Sequence, residues 1–148
     1  MTVRASLDSN ILVYAELEPE TKKGAAAQSV IQAAASRGIL AVQAQLEFLA
    51  VVRRRRAESL ASARAKVDLW SAVFESAPTT ALVAQAALQL VERHKFQVWD
   101  AVIWSASRMA GATVFLSEDL QDGLVLDGMR VLNPFTVSDA DISKLLGG

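Results

Sequence analysis

The 148-residue sequence contains no cysteine. That excludes disulfides, zinc–thiolate centres and thiol nucleophiles. It has one histidine, His94, in the run ERHKF at an expected helix end. There it reads as a cation facing the helix C-terminus, so a histidine general base is not expected. Ser6, Ser9 and Ser117 have no histidine nearby in sequence, and a serine hydrolase fails on chemistry. The glycines form neither a GxxxxGK nor a GxGxxG loop, which argues against nucleotide hydrolysis and dinucleotide binding. No stretch approaches the ~20 apolar residues that cross a bilayer. The opening MTVRASLDSN lacks the apolar segment of a signal peptide. A cytoplasmic protein without membrane association is the expectation.

What is present is a hydrophobic, moderately charged chain. Hydrophobic residues make up 52% and charged ones 21%, which fits one globular domain spanning residues 1–148. Net charge is −1 and the isoelectric point is about 5.8. Any contact with nucleic acid must therefore come from a local patch.

Apolar spacing and breakers predict the elements in order. Strands are expected at residues 3–7, 39–42, 74–77, 112–116 and 129–132. Helices are expected over 11–17, 25–35, 43–56, 60–74, a segment capped by Thr79 or Thr80, and 99–109. In the capped segment, Leu82, Val83, Ala86, Leu90 and Val91 form one apolar face. The stretch after Phe135 is polar and receives no assignment. Strands alternating with helices imply an α/β fold, a three-layer α/β/α sandwich around a parallel sheet of four or five strands. Ligands of such sheets sit beyond the carboxyl ends of the strands.

Four acids stand in apolar company. Asp8 ends VRASL, Glu47 lies inside QLEFLAVV, Asp100 inside QVWDAVIW, and Asp119 follows ATVFLS. A buried carboxylate without a partner costs several kcal/mol or takes up a proton. Any one of the four could be an ordinary cap or turn residue. Together they could converge on one sheet edge, where they would raise one another's pKa values. A hard divalent cation removes that conflict, and all-oxygen ligands suit Mg²⁺ or Mn²⁺.

On these residues the sequence resembles the PIN-domain family, and within it the VapC-type toxins of toxin–antitoxin pairs. The motifs are LDSNILVYA from Leu7, Gln45-Leu46-Glu47-Phe48, Trp99-Asp100-Ala101-Val102-Ile103 and Leu116-Ser117-Glu118-Asp119-Leu120. Val131-Leu132-Asn133-Pro134-Phe135 adds a fifth similarity. The resemblance implies a metal-dependent endoribonuclease in which Asp8, Glu47, Asp100 and Asp119 bind the metal. It implies that Ser117 holds a carboxylate or water and that Asn10 braces the turn after Asp8. Asp122 could share or replace the role of Asp119. It further implies an RNA substrate, 5′-phosphate products, a homodimer and a small antitoxin partner. Residues 25–56 with the following helix could supply the antitoxin's groove.

Arg53, Arg54, Arg55 and Arg56 close the helix that carries Glu47. Successive residues turn by about 100°, so the four cannot point one way. Two are expected at a solvated helix end, and two on phosphate or a partner. Trp70, Trp99 and Trp104 occupy apolar helical positions and are expected in the core. The rival function is a non-cleaving PIN-like module that binds RNA or protein. A phosphotransfer receiver would need a mid-chain acceptor Asp at a strand end and a late Lys, and neither is evident.

Overall fold

The computed structural model describes residues 3–147. Met1, Thr2 and Gly148, the extremes of the expected domain, lie outside the described residues. The elements are β1 (Ala5–Leu7), α1 (Ser9–Leu17), α2 (Lys22–Ala34), β2 (Ile39–Ala41), α3 (Val42–Arg55), α4 (Leu60–Val73) and β3 (Glu75–Ala77). There follow α5 (Ala81–His94), α6 (Val98–Met109), β4 (Val114–Leu116), β5 (Val125–Leu126), β6 (Met129–Leu132) and α7 (Asp139–Gly147). The strand order is β3-β2-β1-β4-β6-β5. Five strands run parallel, as the alternation of elements implies, and only β5 is antiparallel. That two-residue edge was not expected. It is folded back by Asp127 and Gly128, both at positive φ, as a tight hairpin requires.

Side chains along each strand alternate between two apolar layers, as the period of two dictates. Ala5, Leu7, Leu40, Val114 and Leu116 pack with α1, α2, α3, α4 and α7. Ile39, Ala41, Phe115, Met129 and Val131 pack with α5 and α6. Trp104 is fully buried in the second layer, edge-on to Phe96 and Phe115. Trp70 packs likewise on Phe48 in the first.

Local chemistry fixes the helix starts. Asp8, Thr21 and Thr80 accept hydrogen bonds from the first turns of α1, α2 and α5. Gly24 allows α2 to lie against the end of α1, because a Cβ there would stand 1.6 Å from the Glu18 carbonyl oxygen.

Three expectations are corrected. Trp99, in the first turn of α6, is 53% exposed, and the buried side chains of this helix begin at Ala101. Leu82 is also exposed; Val83, Ala87 and Leu90 carry the buried face of α5. The polar stretch after Phe135 contains α7, whose Ile142 and Leu146 are buried in the first layer. Among the described residues no helix is long and apolar enough to cross a membrane.

Candidate active site

The chain runs from β1 outward through β2 to β3, then returns to place β4 on the other side of β1. The carboxyl ends of β1 and β4 therefore flank a topological switch point, where the sheet opens a crevice. Register makes the two ends level, with Leu7 opposite Leu116. Asp8 and Ser117 are the next residues on each strand.

Asp8 is 2% exposed. Its Oδ1 accepts from the Ser9 backbone N–H at 2.7 Å, and its Oδ2 accepts from the Ser117 hydroxyl at 2.8 Å. Ser117 is itself buried, and its Oγ accepts from the backbone N–H of Asp119 at 3.1 Å. One hydroxyl thus ties the first acid to the loop that carries the fourth. Glu47 lies early in α3, which leaves β2 without a break. Asp100 lies in the first turn of α6, and α6 packs against both α3 and β2. The N-cap of α6 is Gln97, so Asp100 is not a cap.

The charges of Asp100 and Asp119 act on the other acids. Burial, opposed by the Ser117 hydrogen bond and helped by the charges of Asp100 and then Asp119, raises the Asp8 carboxyl to about 7. Burial raises Glu47 as well, followed by the charges of Asp100 and Asp119. Burial and then the charge of Asp119 raise Asp100. Acids from distant parts of the sequence therefore lie near enough for the charges of Asp100 and Asp119 to reach Asp8 and Glu47.

Several polar atoms here lack protein partners. Oε2 of Glu47 and both side-chain polar atoms of Asn10 are buried and unbonded. Leaving such an atom unpaired costs about 1–3 kcal/mol, so the cleft is suited to something that supplies contacts from outside. The donor set is oxygen only, which fits a hard divalent cation. Among the described residues no three acids close into a group able to grip a metal ion directly. A hydrated ion such as Mg²⁺ takes only one or two carboxylates directly and reaches others through water.

The remaining expected site residues are distributed as follows. Asn10 does not brace the turn by hydrogen bonding; the Asp8 carboxylate and the Ile11 N–H bond to the Asp8 carbonyl do so. Asp122 is exposed and accepts from the Asn133 N–H at 2.9 Å. Its charge is not among those acting on Asp8, Glu47 or Asp100. Arg56 donates to the Leu17 carbonyl at 3.0 Å, and Arg55 lies 3.8 Å from the Glu18 carboxylate. Both fasten α3 to the end of α1. Arg53 and Arg54 are exposed and have no ion-pair partner among the described residues.

One feature gave no sequence signal. Glu118, between Ser117 and Asp119, accepts from Tyr14 Oη at 2.6 Å and pairs with Lys23. Lys23 also lies over the rings of Tyr14 and Phe135. Partial burial pushes Glu118 up, but Lys23 and Tyr14 outweigh it and hold the carboxyl below its usual range. This fifth acid is therefore neutralised at the edge of the cleft. Lys23, Tyr14 and Phe135 meet only in the fold.

Solved structures share this architecture. A toxin from Mycobacterium tuberculosis, VapC20, described as cleaving the sarcin–ricin loop, superposes with a TM-score of 0.66 at 18% identity, covering 78% of this chain and 91% of its own. A toxin–antitoxin complex from Klebsiella pneumoniae gives 0.67 at 15% identity, covering 88% and 97%. VapBC2 from Rickettsia felis, bound to a promoter DNA fragment, gives 0.62 at 14% identity, covering 87% and 97%. At such identities the likeness is one of fold. No curated protein matches the sequence. The sequence model of the PIN domain matches residues 5–121, a span that runs from β1 through the Asp119 loop. On that match the chain belongs to the PIN-domain family.

Proposed function

We propose that the chain is a Mg²⁺- or Mn²⁺-dependent endoribonuclease, acting in the cytoplasm as the toxin of a toxin–antitoxin pair, with residues 1–148 forming one domain. The observation that carries this reading is the electrostatic action of Asp100 and Asp119 on Asp8 and Glu47 beside the switch point. Family membership and the VapC and VapBC neighbours support it.

In this reading the four acids hold the cation, some of them through water, and Asp119 rather than Asp122 is the fourth. When bound, the ion polarises a phosphoryl oxygen and lowers the pKa of water. Ser117 fixes the Asp8 carboxylate by donating to Oδ2. One of the carboxylates takes a proton from the attacking water; Glu47, whose Oε2 has no partner and whose carboxyl is raised by burial, suits that role. In-line attack with loss of the 3′ oxygen leaves a 5′-phosphate. Arg54 follows Glu47 by seven residues, about two turns along the same face of α3. There it is available to a backbone phosphate, with Arg53 beside it.

Two surfaces support the partners. A groove of about 340 Å³ between α2 and α4 is lined by Ile31, Leu69, Trp70, Val73 and Phe74, which suits the apolar face of an antitoxin helix. Val42 and Leu46 beside Glu47, and Val98 and Trp99 beside Asp100, are exposed, and such an apolar rim suits a homodimer contact.

The test is cleavage of end-labelled single-stranded RNA with Mn²⁺ and with EDTA. Cleavage with Mn²⁺ alone, leaving 5′-phosphates, is the expected result. Equal, uncut RNA in both would reject the nuclease and favour a binding module. Co-purification with a small protein encoded beside this chain tests the toxin assignment. Unhindered high-level expression of the chain alone in bacteria counts against it.

A further inference from the structure

A second polar cleft lies between α5 and α6, away from the four acids. It has a volume of about 180 Å³, and its polar lining comes from Gln89, Arg93, His94, Ser105, Arg108 and Asp127. Gln89 and Arg93 are four residues apart on α5, and Ser105 and Arg108 three apart on α6, so each pair shares a helix face. Asp127 comes from the tight turn between β5 and β6.

Two independent features mark this cleft. The first is charge. Arg93, His94 and Arg108 meet one carboxylate, Asp127. Among the described residues neither arginine nor His94 has an ion-pair partner. The chain as a whole carries −1, so the two arginines are a local concentration of positive charge without ion-pair partners. The second is Ser105. It is 1% exposed, lines the cleft, and its hydroxyl has no hydrogen-bond partner. The other buried serines are bonded, Ser6 to Ser107 at 2.6 Å and Ser117 to Asp8 at 2.8 Å. A buried, unbonded hydroxyl lining the same cleft as two guanidinium groups without ion-pair partners suits an oxyanion. Arginine forks take two of its oxygens, and the hydroxyl donates to a third.

We propose that the α5–α6 cleft is a phosphate-group site, with Arg93 and Arg108 as its forks, His94 at its rim and Ser105 at its floor. The site stands whether or not the acidic cleft cuts RNA. Along α6, Arg108 is eight residues past Asp100, a rise of about 12 Å. The phosphate can therefore be a free ion or nucleotide, or a backbone phosphate of an RNA strand that runs beyond the acids.

Inorganic phosphate titrated into the full-length protein in EDTA, followed by amide NMR, is the test. Shifts are expected at Arg93, Ser105 and Arg108. Arg93→Ala/Arg108→Ala is expected to weaken binding by roughly tenfold or more, the scale of losing charge-assisted hydrogen bonds. Ser105→Ala, a small truncation, weakens it less, and Asp100→Asn leaves it intact. A second arm measures single-stranded RNA binding in EDTA against salt. A slope lowered by about 1–2 in the double variant assigns the site to RNA backbone. An unchanged slope alongside lost phosphate binding assigns it to a free phosphate ligand. If phosphate moves none of these amides and RNA binding is the same in the double variant, the proposal is overturned.

Discussion

The two ends of β1 treat charge in opposite ways. At the amino end, every nitrogen of the Arg4 guanidinium donates to the fold. Its Nε donates to the Arg37 carbonyl at 3.0 Å, one Nη to the Ala110 carbonyl at 3.3 Å, and the other to Glu75 at 3.0 Å. These contacts join the starts of β1 and β3 to the ends of α2 and α6. At the carboxyl end, about 13 Å away at the rise of a strand, Asp8 shares its cleft with three further acids and no basic side chain acts on it. The first arrangement is complete within the chain. The second leaves acid facing acid, raising the Asp8 carboxyl. Charge at one end serves the fold, and charge at the other is, in the proposed function, reserved for chemistry.

Substitutions at the two ends should therefore separate activity from stability. Asp100→Asn or Glu47→Gln is expected to lower Mn²⁺-dependent RNA cleavage by at least about a hundredfold, the scale of losing one charge-stabilising group. The same variants should unfold in urea no earlier than the parent, because each removes a repelling charge. A loss of stability matching the loss of cleavage would break the comparison. Arg4→Ala should do the reverse. Unfolding free energy should fall by about 1–3 kcal/mol, while cleavage well below the melting temperature stays near the parent's.

Acidity sharpens the contrast. Asp8 is raised from 3.8 to about 7 in the folded chain. Between those values the native state holds a proton that the unfolded state has released, so this group's contribution to stability falls as pH rises through that window. Urea unfolding in EDTA should show that decline, partly masked by Glu118, whose shift has the opposite sign. Mn²⁺ should raise the unfolding midpoint more at pH 7.5 than at pH 5. Equal stabilisation at both would detach the metal from these acids. The smallest effect is expected at Asp122, which bonds only the Asn133 amide in this region. Asp122→Asn should change cleavage by no more than about twofold and stability by less than about 1 kcal/mol. Asp119→Asn should cost far more activity.

The acids were legible because each breaks an apolar run, and a carboxylate in such company needs a partner. The layer order followed from alternating elements. The Ser117–Asp8 bond was not legible in detail, since it depends on β1 and β4 pairing in one register across 109 residues. The clamp on Glu118 was hidden for the same reason. In the arginine run, the sequence could say that the side chains diverge, but not that Arg55 and Arg56 would be taken by the end of α1. The last helix was missed although Ser138 bonds the Asp141 N–H at 3.2 Å, and Ile142, Leu145 and Leu146 follow at helical spacing. Those capping and spacing signals were readable in principle. Trp99 reads as core because apolar spacing at a helix start does not reveal which residues of the first turn are buried.

The pairing of β1 with β4 also orders events during synthesis. Asp8 leaves the ribosome first, yet the hydroxyl that orients it and the last acid of the cleft emerge more than a hundred residues later. A growing chain halted before β4 carries Asp8 and Glu47 without the strand that seats them. Until that strand pairs with β1, a partly made polypeptide lacks the hydroxyl that orients Asp8 and the loop that carries the last acid.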